Sequence, residues 1–312
     1  MMQRVEMVLF IGILAIGCSS TDEAQVDDST ADVTGTVYAN LDEVLGGADL
    51  GNWLAMRGKL RSDFDLVCGD TFCDGDFSNF TTIGLDCTAS KNTKKMSQCV
   101  WTFAGSLEYV SGYSGKVTSD IPVITCTIPV KGLASDFVKA LQAAAPNPAI
   151  QSVVPGGTKS YYDYVSSCFE NVPEKPAPTP TKTQTYKSAR DVLGGDDPDN
   201  WVPQNYALNA EFEDACGDTY CGGDYNDIAA LGFTCAISNA GNVKGCGWSF
   251  AGSYTTIGAY GVLTAHTKTW TCALPASGKS ATLQAYVNGA NEYQTNLPGE
   301  AIPPSQALAG CF

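Results

Sequence analysis

The sequence predicts an α+β fold built from two tandem copies of one disulfide-stapled domain, each an antiparallel sheet with helices on one face. Three observations predict it. The decapeptide CGDTFCDGDF at 68–77 returns as CGDTYCGGDY at 216–225, an offset of 148 residues. Cysteines recur in the same order in both copies: Cys68, Cys73, Cys87, Cys99, Cys126 and Cys168, then Cys216, Cys221, Cys235, Cys246, Cys272 and Cys311. The apolar period switches from helical to alternating at matching places in each copy.

The elements follow in order. A helix is expected over 52–68 and 201–216, because Leu60, Phe64, Cys68 and Leu208, Phe212, Cys216 share i, i+4, i+8 spacing. The Gly-Asp pair after each stripe is expected to end it, since glycine suits the left-handed cap position. Three strands come next. Ile83, Leu85, Cys87 alternate, as do Leu231, Phe233, Cys235. Cys99, Trp101, Phe103 match Cys246, Trp248, Phe250, and Ile124, Cys126, Ile128 match Trp270, Cys272, Leu274. KNTKKMS and NAGNVKG are turn-like links between the first two strands. A second helix is expected near 133–144 and 279–288. The resulting α-β-β-β-α plan resembles the layout of cystatins and nuclear-transport-factor-like domains.

The ends and the middle differ in character. MMQRVEMVLFIGILAIGC opens with Arg4 and runs apolar from Met7 to Gly17, the plan of an export signal over 1–17. Ala15-Ile16-Gly17-Cys18 resembles the lipobox of bacterial lipoproteins. That resemblance implies acylation of Cys18 (a palmitate-bearing anchor), Sec-type export, and, with Ser19 following, the outer membrane. Residues 18–40 are polar and acidic and read as a lipidated tether. The copies then span 41–169 and 189–312. Between them 170–188, ENVPEKPAPTPTKTQTYKS, is expected to hold the two domains apart as an extended proline-rich spacer.

Charge and cysteine usage narrow the chemistry. The formal net charge is −15, so phosphate backbones are repelled and no nucleic-acid partner is expected. The thirteen cysteines, with Cys18 set aside for lipid, divide evenly into the two copies and suit an oxidising compartment. Sequence cannot choose the pairing. Cys87 with Cys99 is favoured if the two sit opposite each other, and Cys99 with Cys126 competes. Residues 51–169 hold ten acids and ten bases, whereas 189–312 hold twelve acids and four bases.

No catalytic set and no cofactor is expected. Asp70, Asp76, Asp218 and Asp224 recur in the decapeptides, while Asp74 meets Gly222. As calcium ligands they lack the distal glutamate of an EF-hand, and turn capping accounts for them better. His266 is the single histidine and lacks a nucleophile elbow. QSVVPG at 151–156 approaches the inhibitory loop of cystatins but carries Pro155 where glycine is required. Tyr161, Tyr162 and Tyr164 form either core or an exposed platform for sugars or a partner. The expected function is a non-catalytic binding or structural module on the membrane for an envelope protein or glycan. The alternatives are a hydrolase acting on envelope polymers through paired carboxylates and a secreted protease inhibitor.

Overall fold

The computed structural model describes residues 36–71, 77, 79–144, 148–170, 185–194, 201–219, 225 and 227–312. The first half opens with strand β1 (Tyr38–Asn40), a short helix α1 (Leu41–Val44) and the long helix α2 (Gly47–Thr71). Strands β2 (Thr81–Ser90) and β3 (Met96–Ala104) follow, then a separate hairpin of β4 (Leu107–Val110) and β5 (Val117–Asp120). Strand β6 (Val123–Pro129), helix α3 (Ala134–Ala144) and helix α4 (Tyr161–Phe169) complete it. The second half runs β7 (Tyr186–Ser188), α5 (Ala189–Leu193), α6 (Val202–Thr219), β8 (Asp227–Ser238), β9 (Asn242–Ile257) and β10 (Leu263–Leu274). It ends with β11 (Gly278–Lys279), α7 (Ser280–Val287) and α8 (Pro304–Ala307). Both main sheets are antiparallel, ordered β1-β2-β3-β6 and β10-β9-β8-β7.

The mixed fold with antiparallel sheets is as expected, and the three strands of each half fall where alternation placed them. Helices α2 and α6 run further than expected, through Gly69-Asp70 and Gly217-Asp218 to Thr71 and Thr219. A glycine in a last turn weakens a helix without stopping it.

Each half has an aromatic core between helix and sheet. Phe64 of α2 lies 4.4 Å from Phe103 and 6.2 Å from Trp101, ring centre to ring centre. Phe212 of α6 lies 4.7 Å from Phe250 and 5.8 Å from Trp248. Disulfides cross the same layer. Cys87 and Cys99 face each other across β2 and β3, and Cys235 and Cys246 across β8 and β9, with Cα atoms 4.0 and 3.9 Å apart. Cys126 of β6 binds Cys168 of α4, so Cys99 with Cys126 is not the pairing. Cys272 of β10 binds Cys311. Cys68 is disulfide-bonded too, and Cys73 and Cys221 lie outside the described residues.

The two halves are not held apart. Residues 36–312 form one compact unit, and the expected separation by a stiff spacer does not occur. The physical reason is apolar area left on the second face of each sheet. Ile83, Ala104, Ala229, Leu231 and Ala251 bury one another there, a cluster of mostly small side chains that lets the sheets approach.

Two hairpin arms then cross between the halves. The first is β4–β5. Gly105 and Pro122 interrupt the β3–β6 pair, since proline cannot donate to a ladder, and the outer part of the hairpin departs as its own two-stranded sheet. It lies on the second half's sheet. There Ser249 donates a hydrogen bond to Glu108, and Val117 fills the space above Gly247. The second arm is the outer part of β9–β10, residues 253–265, which continues without a break. It lies on the first half's sheet. Ser253 Oγ donates to Ile83 O at 2.5 Å, and Thr255 Oγ1 donates to Asp86 Oδ2 at 2.8 Å.

Both crossings need a glycine beneath them. A Cβ on Gly84 would stand 2.5 Å from Ser253 Oγ, and one on Gly232 would collide with the Glu108 carboxyl. Glu108 is deeply enclosed, and burial pushes its pKa above the ordinary 4.5 against the opposing bonds from Ser106 and Ser249. A raised carboxyl favours the fold at low pH, and this contribution is lost as pH climbs from 4.5 through the raised value.

Gly232→Ala is therefore expected to destabilise the protein by about 1–3 kcal/mol, read by urea unfolding. Glu108→Gln should flatten the decline of stability as pH rises above 4.5. A pH profile matching the unsubstituted protein would assign that decline to other carboxyls.

Candidate functional site

The seam between the halves opens at one end into a cleft of about 420 Å³. Helices α2 and α6 form two of its walls and β2 and β8 the floor. Asp65, Asn79, Phe80 and Thr81 come from the first half, and Asn209, Glu213, Ala230 and Leu231 from the second. Asp65 and Glu213 each follow a core phenylalanine, Phe64 and Phe212, so burial of the ring aims the next residue toward the cleft.

Amides frame the floor. Asn79 Nδ2 donates to Leu231 O at 3.1 Å and to Ser106 Oγ at 2.9 Å, while its Oδ1 accepts from Ser106 N at 2.8 Å. That side chain fixes the start of the first arm and ties it to β8. Asn209 Nδ2 donates to the same Leu231 O at 2.9 Å, and its Oδ1 accepts from Trp248 Nε1 at 3.0 Å.

The charges are uneven. Arg61 donates from Nη2 to Thr82 O at 3.2 Å and holds its other nitrogen 3.9 Å from Asp227 Oδ1. Around it stand Asp65, Asp86, Glu213 and Asp227, all with raised pKa. For Asp65 the crowding of protein about the carboxyl comes first and the charge of Glu213 second. Against the pull of Arg61 they bring it up to about 6. Glu213 is raised by the same crowding, opposed by Arg61 and reinforced by Asp214. Both side chains remain open to solvent at the cleft mouth. Chemically, Asp65 can hold or release a proton near pH 6 beside a second carboxyl of raised pKa, or the pair can bind a cationic group.

The residues singled out in the sequence fare differently. Asp70 and Asp218 fall on the last turns of α2 and α6, and Asp74, Asp76 and Asp224 lie outside the described residues. Among the described residues no group of three or more His, Cys, Asp or Glu side chains is placed to hold a metal. Cys18 and the export signal also lie outside them, and no described helix is long and apolar enough to cross a membrane. Tyr161 is buried at the start of α4, and Tyr162 and Tyr164 pack against the same core, so the tyrosine cluster is not an exposed platform. Its helix begins with a reciprocal cap, Ser160 accepting from Asp163 N while Asp163 accepts from Ser160 N. His266 stacks on Tyr254 at 4.7 Å and shares a hydrogen bond with Thr256. In QSVVPG, Val154 is buried beside Ile150 in the core.

Sequence reasoning passed over Asp65, Glu213 and Arg61. One signal was present. Asp65 and Glu213 stand at the same 148-residue offset as the decapeptides, an acidic residue kept beside each core ring.

No family model, curated protein or solved structure matches the chain.

Asp65 is expected to titrate near pH 6 by carboxyl NMR. Glu213→Gln should move that value down, because it removes a repelling charge. Arg61→Met should move it up. An Asp65 titration unchanged by Glu213→Gln would mean that the two halves do not share the cleft's field.

Proposed function

We propose that the chain is an exported lipoprotein, acylated at Cys18, that serves as a non-catalytic binding or structural module for a protein or glycan of the bacterial envelope, most plainly at the outer membrane. Its body is a duplication: two six-cysteine units, each with helices over the outer face of its sheet, joined by reciprocal arms. Supporting the duplication, Gly84 and Gly232 stand under the two arms at the same offset that relates the decapeptides.

The observation that carries a binding role is the doubly fixed body. Disulfides staple each half, and the arms clamp the halves together. Such a body keeps its surface preorganised, so little ordering cost is added when a partner docks. A tether from residue 18 would let it sample the space around its anchor.

A second role is favoured by one specific feature, the Asp65–Glu213 cleft. Two carboxyls with raised pKa facing a common space suit acid–base hydrolysis of an envelope polymer.

Metabolic labelling with a palmitate analogue should mark the protein, and Cys18→Ala should lose the label and leave the membrane fraction. An unlabelled protein would remove the anchor. In-cell crosslinking should recover an envelope protein or glycan, and loss of that capture after reduction would follow from the stapled body. If the cleft is catalytic, envelope polysaccharide should be cleaved and Asp65→Asn should slow release at least about 100-fold. Release indifferent to Asp65→Asn would remove the hydrolase.

A further inference from the structure

We propose that Tyr113 and Tyr260, at the tips of the two arms, are paired contact points for a neutral polysaccharide. The proposal rests on the binding role above and names the class of its ligand.

The two tips are built alike. SGYSG at 111–115 closes the first arm, and GAYG at 258–261 closes the second. Each tip is fixed from beneath by the opposite half. Gly112 O accepts from Thr185 N at 2.7 Å and Tyr186 N at 3.1 Å, and Gly115 rests on the Tyr186 ring. Gly261 O accepts from Thr88 Oγ1 at 2.6 Å, Tyr260 O accepts from Ser97 Oγ at 2.9 Å, and Gly261 rests on the Tyr38 ring. The backbone is thus held while the tyrosine ring is not used by the fold. Tyr113 is 86% exposed and Tyr260 83%, the two most exposed large apolar side chains among the described residues.

Tyr260 also has φ +63°, a left-handed conformation that glycine or asparagine adopts more readily than tyrosine. No burial offsets that strain. Strain kept at an exposed aromatic points to a use outside the fold.

The chemistry of each tip fits a sugar ring. A tyrosine offers a flat apolar face with a hydroxyl at its edge, at low conformational cost. Its neighbours Ser111, Gly112 and Ser114, or Gly258 and Ala259, are small and leave that face open. A stable protein interface needs roughly 800 Å² from each partner, far more than one ring on a small-residue loop supplies. One tip alone is therefore a weak site. Two alike tips on one rigid body gain avidity from a partner that repeats the same group, which a polymer does. Neither SGYSG nor GAYG contains a charged residue, so the tips offer no ionic partner of their own and suit a neutral polymer.

The test uses the mature protein on columns of cellulose, chitin and a soluble neutral glucan, with an anionic polymer as control. Retention on at least one neutral matrix is expected. Tyr113→Ser or Tyr260→Asn alone should weaken it at least about tenfold, because avidity is lost, and the double variant should elute unretained. Melting temperature should be unchanged by Tyr113→Ser and unchanged or raised by Tyr260→Asn. Retention surviving in the double variant would overturn the proposal, as would retention on the anionic polymer alone. So would concentration-dependent self-association that the double variant abolishes, which would make the tips an interface between copies. If no neutral matrix retains the protein while crosslinking still captures an envelope component, the polysaccharide falls and the binding role stands.

Discussion

Close approach of two sheets, each crossed by an arm of the other half, is the constraint on which the rest of the molecule depends. It is possible only because small residues occupy the contact. Ala104, Ala229 and Ala251 fill the apolar centre, and Gly84 and Gly232 leave room for Ser253 and Glu108. A single added methyl at either glycine has nowhere to go without moving an arm. The stapling disulfides act at another level. The four described bonds fix strand to strand, strand to helix, or strand to the C-terminal turn, each within one half.

The same seam sets the electrostatics. Carboxyls at Asp86 and Glu108 are set into the seam, and each accepts from a hydroxyl of the opposite half, Thr255 or Ser249, while Asp227 is 37% exposed along its side chain and lies beside Arg61. Burial then dominates, and each carboxyl is raised. Arg61 is the exception, a cation lodged at the cleft between acids of both halves. The cleft and the arm tips are therefore two products of one architecture. The cleft lies between α2 and α6 over β2 and β8, and the tips rest against the edge strands β7 and β1 of the opposite sheets.

Local features were legible in the sequence because their causes are local. The stripe Leu60, Phe64, Cys68 marks a helix face, and the alternation through Cys99, Trp101 and Phe103 marks a strand, whatever surrounds them. The Cys87–Cys99 pair was legible as soon as both strands were placed. What could not be read is what depends on distant partners. Glu108 and Thr255 look like ordinary strand residues until the opposite sheet is present. The proline-rich composition of 170–188 suggests distance, but composition reports stiffness and not the direction in which the chain returns. The Tyr161–Tyr164 cluster was ambiguous for a related reason, since the face that α4 buries is set by the Cys126–Cys168 bond and the sheet beneath it.

The central claim is that reciprocal arms make the two halves one cooperative body. Differential scanning calorimetry of the oxidised mature protein tests it directly. The account requires one transition whose calorimetric and van't Hoff enthalpies agree, with Gly84→Ala and Gly232→Ala each lowering that whole transition. Two separable transitions, with each glycine substitution shifting only one of them, would contradict it.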